Sequence, residues 1–267
     1  QRLLIDKNRE LQMTIRYEIN PPRVIQDGVL SHKQVKGLLS KVEKRIISAS
    51  KFCNGIHLTD SVLGVPRISP ITTGAMIRHK LNLEITASIR VRDRNITAMT
   101  QSIYDAVLLG LDGLLILQGD EPPAGPKNSG LVPSEVVKHF TKQGFGKNLD
   151  FFLSISAEPD FEKINKKLEA EPTGFVTQVI QSPDQVHRLV DHLKPLGFKV
   201  IPCVMIPSQK NSNSAKMVGV DFSKYEEKTL DFIKEIHSSA KDILITSPND
   251  SKAALKILSQ IKGLKRK

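Results

Sequence analysis

The chain has 267 residues, a quarter of them charged, with a net charge of +11, so it can bury a sizeable core as one large domain or two small ones, and its charge reads first as a Lys-rich solvated surface and second as suited to an anionic partner. Trp is absent and the basic residues are scattered, with a run only in the C-terminal "KGLKRK", so neither a base-stacking platform nor a basic stripe is present and nucleic acid is not an expected partner. Cys53 and Cys203 lie far apart in apolar stretches and no metal-ligand spacing occurs, which excludes a disulfide framework and points to buried free thiols in a reducing compartment.

Residues 1–12 are too polar for a signal peptide, and the longest apolar run, "AVLLGLDGLLIL", is broken by Asp112 and too short for a bilayer, so a cytoplasmic protein without a membrane segment is expected. The first short β-branched run covers 14–19 and ends at Pro21 and Pro22, where both a ladder donor and φ freedom are lost. Further strands are predicted at 55–59, 84–91, 113–118, 151–156, 175–180, 199–204 and 243–246. Segments with helical spacing separate them, at 33–50, 71–81, 96–109, 133–143, 160–170, 184–194, 224–239 and 251–262. "SHKQ" at Ser31 and "SPDQ" at Ser182 fit capping boxes, and Gly197 reads as a helix exit. The stretches 119–130 and 207–223 carry the least predicted structure and follow strands, which marks them as candidate lids.

Strand and helix alternating eight times, without a composition break, predicts a single (β/α)₈ barrel over 1–267, with 1–12 and the basic 263–267 tail peripheral. A doubly wound sheet would call for a Gly-rich turn after the first strand, and "EINPPR" is not one. In a barrel the C-terminal strand ends form the functional mouth. Those ends carry Glu18, Thr59, Asp60, Arg90, Arg92, Gln118, Asp120, Ser156, Glu158, Gln178 and Asn249. Alternation puts Glu18 on one face with Thr14 and Arg16, toward the lumen. There it is either a structural ion pair with Arg16 or Arg90, or an acid with a pKa raised by burial. In "LQGD", Leu115 and Leu117 are read on one face and Gln118 and Asp120 toward the mouth, with Gly119 admitting a close ligand. Gln178 is an amide in an apolar strand, suited to a heterocycle edge or to bridging strands.

"YEINPPR", "LLILQGDEPP" and "GFVTQVI", in this order on strands one, four and six, resemble the methylenetetrahydrofolate reductase family over most of the chain. The resemblance implies a barrel with FAD at its mouth, NADH or NADPH as a transient donor, and reduction of a methylene-folate or related pterin to the methyl form. It implies catalytic and substrate roles for Glu18 and Asp120, and pterin reading by Gln178. It implies cofactor contacts from Thr59, Ser88, Arg90, Gln118, Gly119, Asp120, Ser156 and Lys167. Gln118 stands where the family usually has Arg, Ser88 where it has His, Ser156 where it has an aromatic, and Asp250 where it has a basic residue. Arg90 or Arg92 is expected to replace the missing Arg as an anion contact; ion pairing with Asp60 or Asp120 is the other use for them. The same departures motivate an alternative, a flavin-free pterin-binding protein or regulatory subunit. A homo-oligomer or a partner subunit stays open.

Overall fold

A computed structural model describes residues 14–24 and 28–264; the 1–12 extension and the last three residues of the basic tail lie outside them. Eight parallel strands close into a barrel in chain order: β1 (Thr14–Ile19), β2 (Gly55–Leu58), β3 (Glu84–Arg90), β4 (Gly113–Leu117), β5 (Asp150–Ile155), β6 (Gly174–Val179), β7 (Lys199–Met205) and β8 (Asp242–Thr246). β1 pairs β8, with Thr14 opposite Asp242, which removes both sheet edges. Around it stand α1 (His32–Ala49), α2 (Pro70–Arg78), α3 (Ile96–Leu108), α4 (Pro133–Lys142), α5 (Asn165–Leu168), α6 (Pro183–Leu193), α7 (Ser212–Met217), α8 (Thr229–Ala240) and α9 (Ser251–Leu264). Both expected capping boxes form, at Ser31 and Ser182, and Gly197 exits at φ +89°.

Alternation divides the apolar residues into two cores. Ile15, Tyr17 and Ile19 of β1 join the layer between sheet and helices, while Leu115, Phe152, Val176, Ile201, Cys203 and Leu244 fill the lumen. The lumen is thus packed; a cavity of about 10 Å³, lined partly by Arg16 and His57, is the size of one water. Arg16 closes the floor by pairing with Glu84 (2.7 Å) and Asp242 (2.6 Å). It crosses β2 at Gly55, where a Cβ would lie 2.8 Å from its Cγ.

Three segments differ from expectation. The helix predicted over 160–170 is only the single turn of α5: the Asp160 carboxylate accepts the Glu162 N–H (3.1 Å), and this local turn competes with helix. The helix predicted from 224 starts at Thr229, because two 3₁₀ turns precede it, anchored by the Tyr225 hydroxyl on the Met205 carbonyl (2.8 Å). The stretch 207–223 holds α7, started by a Ser208 cap on a 3₁₀ turn.

Candidate active site

β1 places Glu18 half-buried in the lumen wall toward the mouth, beside His57 in the register. No ion pair reaches it among the described residues. Arg16 is consumed at the floor, so that alternative fails. Instead Thr246, the last residue of β8, donates its hydroxyl to Glu18 Oε1 at 2.6 Å. Burial raises the Glu18 pKa, and the Thr246 hydrogen bond and the more distant Arg45 pull it partly back.

The strand exit is held as well as stiff. The Pro21 carbonyl accepts from Arg67 (2.7 Å) and the Pro22 carbonyl from the Ile68 N–H (2.9 Å), while Val24 N–H reaches the Pro66 carbonyl (3.1 Å). Asn20 accepts the Thr59 hydroxyl at 2.6 Å, which ties the ends of β1 and β2 together.

β2 and β3 carry a polar row inside the barrel. His57 lies between Thr86 Oγ1 (Nδ1, 2.9 Å) and Ser88 Oγ (Nε2, 2.8 Å). Thr86 directs its hydroxyl at the Ile56 carbonyl (3.4 Å), so Nδ1–H donates to Thr86 and Nε2 accepts the Ser88 proton. Burial, with Arg16 adding to it, lowers the His57 pKa to about 3, which keeps the ring neutral.

Arg90 and Arg92 clamp a loop. Arg90 is almost wholly buried; its guanidinium reaches the Asp93 carboxylate (3.2 Å), the Ser61 carbonyl (3.0 Å) and the Asp120 carbonyl. Arg92 holds the carbonyls of Gly119 (2.8 Å) and Lys127 (3.0 Å). The Asp120 carboxylate in turn accepts the Leu63 N–H (2.7 Å). Gly119, at φ +83°, is required by Arg90, whose Cβ would lie 2.7 Å from an added one; the space expected for a ligand is taken by a side chain. The clamped loop after β2 holds Ser61 and Leu63 at φ +42° and +59°, backbone that non-glycine residues rarely adopt. Asp60 pairs with Arg94 (2.8 Å) and caps the Arg90 N–H (3.1 Å), so the expected pairing of Arg90 with an Asp60 or Asp120 carboxylate side chain gives way to these contacts.

The other expected contacts lie on β4 to β6. Leu115 and Leu117, not Gln118, form the inward row of β4; Leu117 packs on the lumen cluster, and Gln118 follows the strand with its carbonyl on the Arg92 N–H (3.1 Å). Asp120, Ser156 and Gln178 are exposed. Gln178 sits at a bulge between Val176 and Val179. The strand-bridging role there belongs to Thr177, which accepts the Cys203 N–H (2.9 Å). Lys167 crosses from α5 to the Ser154 carbonyl (2.6 Å), and burial lowers its pKa.

The set divides. Thr59, Ser88 and Arg90 have committed their polar atoms to protein partners. The Asp120 carboxylate, the Ser156 hydroxyl and the Lys167 amine each already bind a backbone group, but Asp120, Ser156 and Gln178 stay exposed, so a polar ring system such as a flavin's would find its contacts on the β4–β6 side. Thr246, Asn20, His57 and Arg94 were not singled out in the sequence. Alternation from Gly55 to Thr59 marks His57 as inward, and counting inward from Leu244 marks Thr246.

Residues 4–256 match the sequence model of the family described as Methylenetetrahydrofolate reductase. No curated protein matches the chain. Among solved structures, a tryptophan synthase complex from Pyrococcus furiosus superposes with a TM-score of 0.56 at 12% identity, with 96% of each chain covered. A mutant tryptophan synthase alpha-subunit from the same organism gives 0.55 at 10% identity, covering 94% of this chain and 96% of that one. At these identities the likeness extends to the barrel alone.

Proposed function

From the premise that the chain belongs to the methylenetetrahydrofolate reductase family, we propose that it reduces a methylene-tetrahydrofolate or a related methylene-pterin to the methyl form, with Glu18 as the acid. The observation that carries this reading is a carboxyl at the barrel mouth with no ion-pair partner among the described residues, one hydrogen bond from Thr246, and a pKa raised by burial. A carboxyl that keeps its proton nearer neutrality suits opening of the five-membered ring of the substrate. The C–N bond breaks, the nitrogen takes the Glu18 proton, and the carbon becomes an iminium that accepts a hydride; solvent then reprotonates the carboxylate. Protonation makes the amine a better leaving group, and the fixed exit at Pro21 and Pro22 holds the acid within reach of it. Gln178, exposed at the mouth, offers a donor and an acceptor to the pterin edge, and Asp120 offers an acceptor. No side chain supplies a hydride, so a redox cofactor must; when bound, a flavin would do so.

A flavin-free pterin-binding protein is the second reading, favoured by the commitment of Thr59, Ser88 and Arg90 to protein partners. The visible spectrum of the purified protein, with and without added FAD, tests the two. A bound-flavin spectrum, bleached by a reduced nicotinamide nucleotide and restored by a methylene-pterin, supports the reductase. A protein that takes up no flavin yet binds a reduced pterin sinks it.

A further inference from the structure

Thr246 has one hydroxyl proton, and its oxygen lies 2.6 Å from Glu18 Oε1. As a β-branched residue it has few χ1 choices. Its backbone is fixed too: its carbonyl accepts the Ile206 N–H (2.9 Å) and β7 pairs it with Met205. Just beyond, the Ser247 hydroxyl donates to the Asp250 carbonyl (2.6 Å) and accepts from Asn211 (2.8 Å), so the β8 end is pinned on the far side as well. The hydroxyl is therefore presented to Glu18 by a rigid element, across the seam where the barrel closes.

We propose that Thr246 is a positioning residue for Glu18: its hydroxyl fixes Oε1 against β8 and leaves Oε2 as the oxygen that carries the transferable proton. An oxygen that accepts a short hydrogen bond is the poorer place for a second proton, so the acid is oriented as well as held. This rests on the proposed role of Glu18, and Thr246 acts only through it. The charged or titratable groups around Glu18 are Tyr17 on its own strand, His57 beside it on β2, Cys203 on β7 and Arg45 on α1. His57 stays neutral far below neutrality, and burial raises both Tyr17 and Cys203, so none of these three changes charge between pH 5 and 8. Arg45 is engaged with the Tyr17 hydroxyl.

The test is a carboxyl-carbon NMR titration of the full chain labelled at the glutamate side-chain carboxyl, with the Glu18 signal identified by Glu18→Gln. Thr246→Val removes the hydroxyl and keeps the shape. It should raise the Glu18 midpoint by about one to two pH units, because a hydrogen bond to the charged form is lost, and Thr246→Ser should restore it. If the Val variant does not fold, Thr246→Ala serves the same purpose. An unmoved or lowered midpoint overturns the positioning role. The readout needs no turnover. A shifted midpoint in a protein that does not convert a methylene-pterin upholds Thr246 and removes the reductase reading, while conversion with an unmoved midpoint does the reverse.

Discussion

Burial raises the Glu18 pKa, so the folded chain keeps this proton over a window in which the unfolded chain has lost it. The folded state binds more protons there, and stability falls as pH rises through the window. Glu18→Gln should therefore raise unfolding stability at neutral pH by roughly 0.5–2 kcal/mol, as relief of a strained functional site commonly does. The gain should vanish below the ordinary carboxylate range; urea unfolding at pH 7 and pH 4 measures both. His57 works in the opposite sense. Its folded pKa is lowered to about 3, the unfolded chain binds the extra proton below about 6.5, and stability is lost as pH falls between those values. His57→Gln should flatten that acid loss, read as the slope of unfolding free energy against pH. Activity follows Glu18: an acid works while protonated, so turnover should decline as pH rises through its raised pKa.

At the level of elements, Arg90 and Arg92 join the loops after β2 and β4 into one unit. Arg90→Ala would leave the Ser61 and Asp120 carbonyls without their donor and open a void beneath Gly119. A cost of roughly 2–4 kcal/mol is expected, with faster proteolysis within 119–130 as the local readout. Gly119→Ala should cost about 1–3 kcal/mol, since both the left-handed backbone and the Arg90 side chain oppose a Cβ; thermal unfolding measures it. This clamp explains what the sequence could and could not convey. Eight strands were legible because each is a short apolar run between turn residues. The inward placement of Glu18 was legible because alternation along 14–19 puts it on the face of Arg16, whereas its partner Thr246 lies 228 residues away on β8. The fate of Arg90 was not, because its partners are mostly backbone carbonyls of loops about thirty residues away, and a carbonyl leaves no mark in a side-chain pattern. The short α5 was lost for a related reason: Asp160 satisfies its own backbone locally, so the helical spacing around it has nothing to propagate.

At the scale of the whole molecule, the barrel separates its two ends. The floor is an ion-pair network around Arg16, which seals the lumen and serves stability, while the mouth keeps Glu18 out of any such network. Both cysteines are buried and free, and no helix among the described residues is long and apolar enough to cross a membrane. The proposed reaction rests on family membership, and the proposed acid on the geometry of β1 and β8. The most direct test is a comparison of wild type with Glu18→Gln, each given a methylene-pterin, FAD and excess reduced nicotinamide nucleotide, with the methyl product followed by mass. The account predicts conversion by the wild type, unimpaired pterin binding by the variant, and a rate at least about 100-fold lower. Equal rates in the two proteins would contradict it.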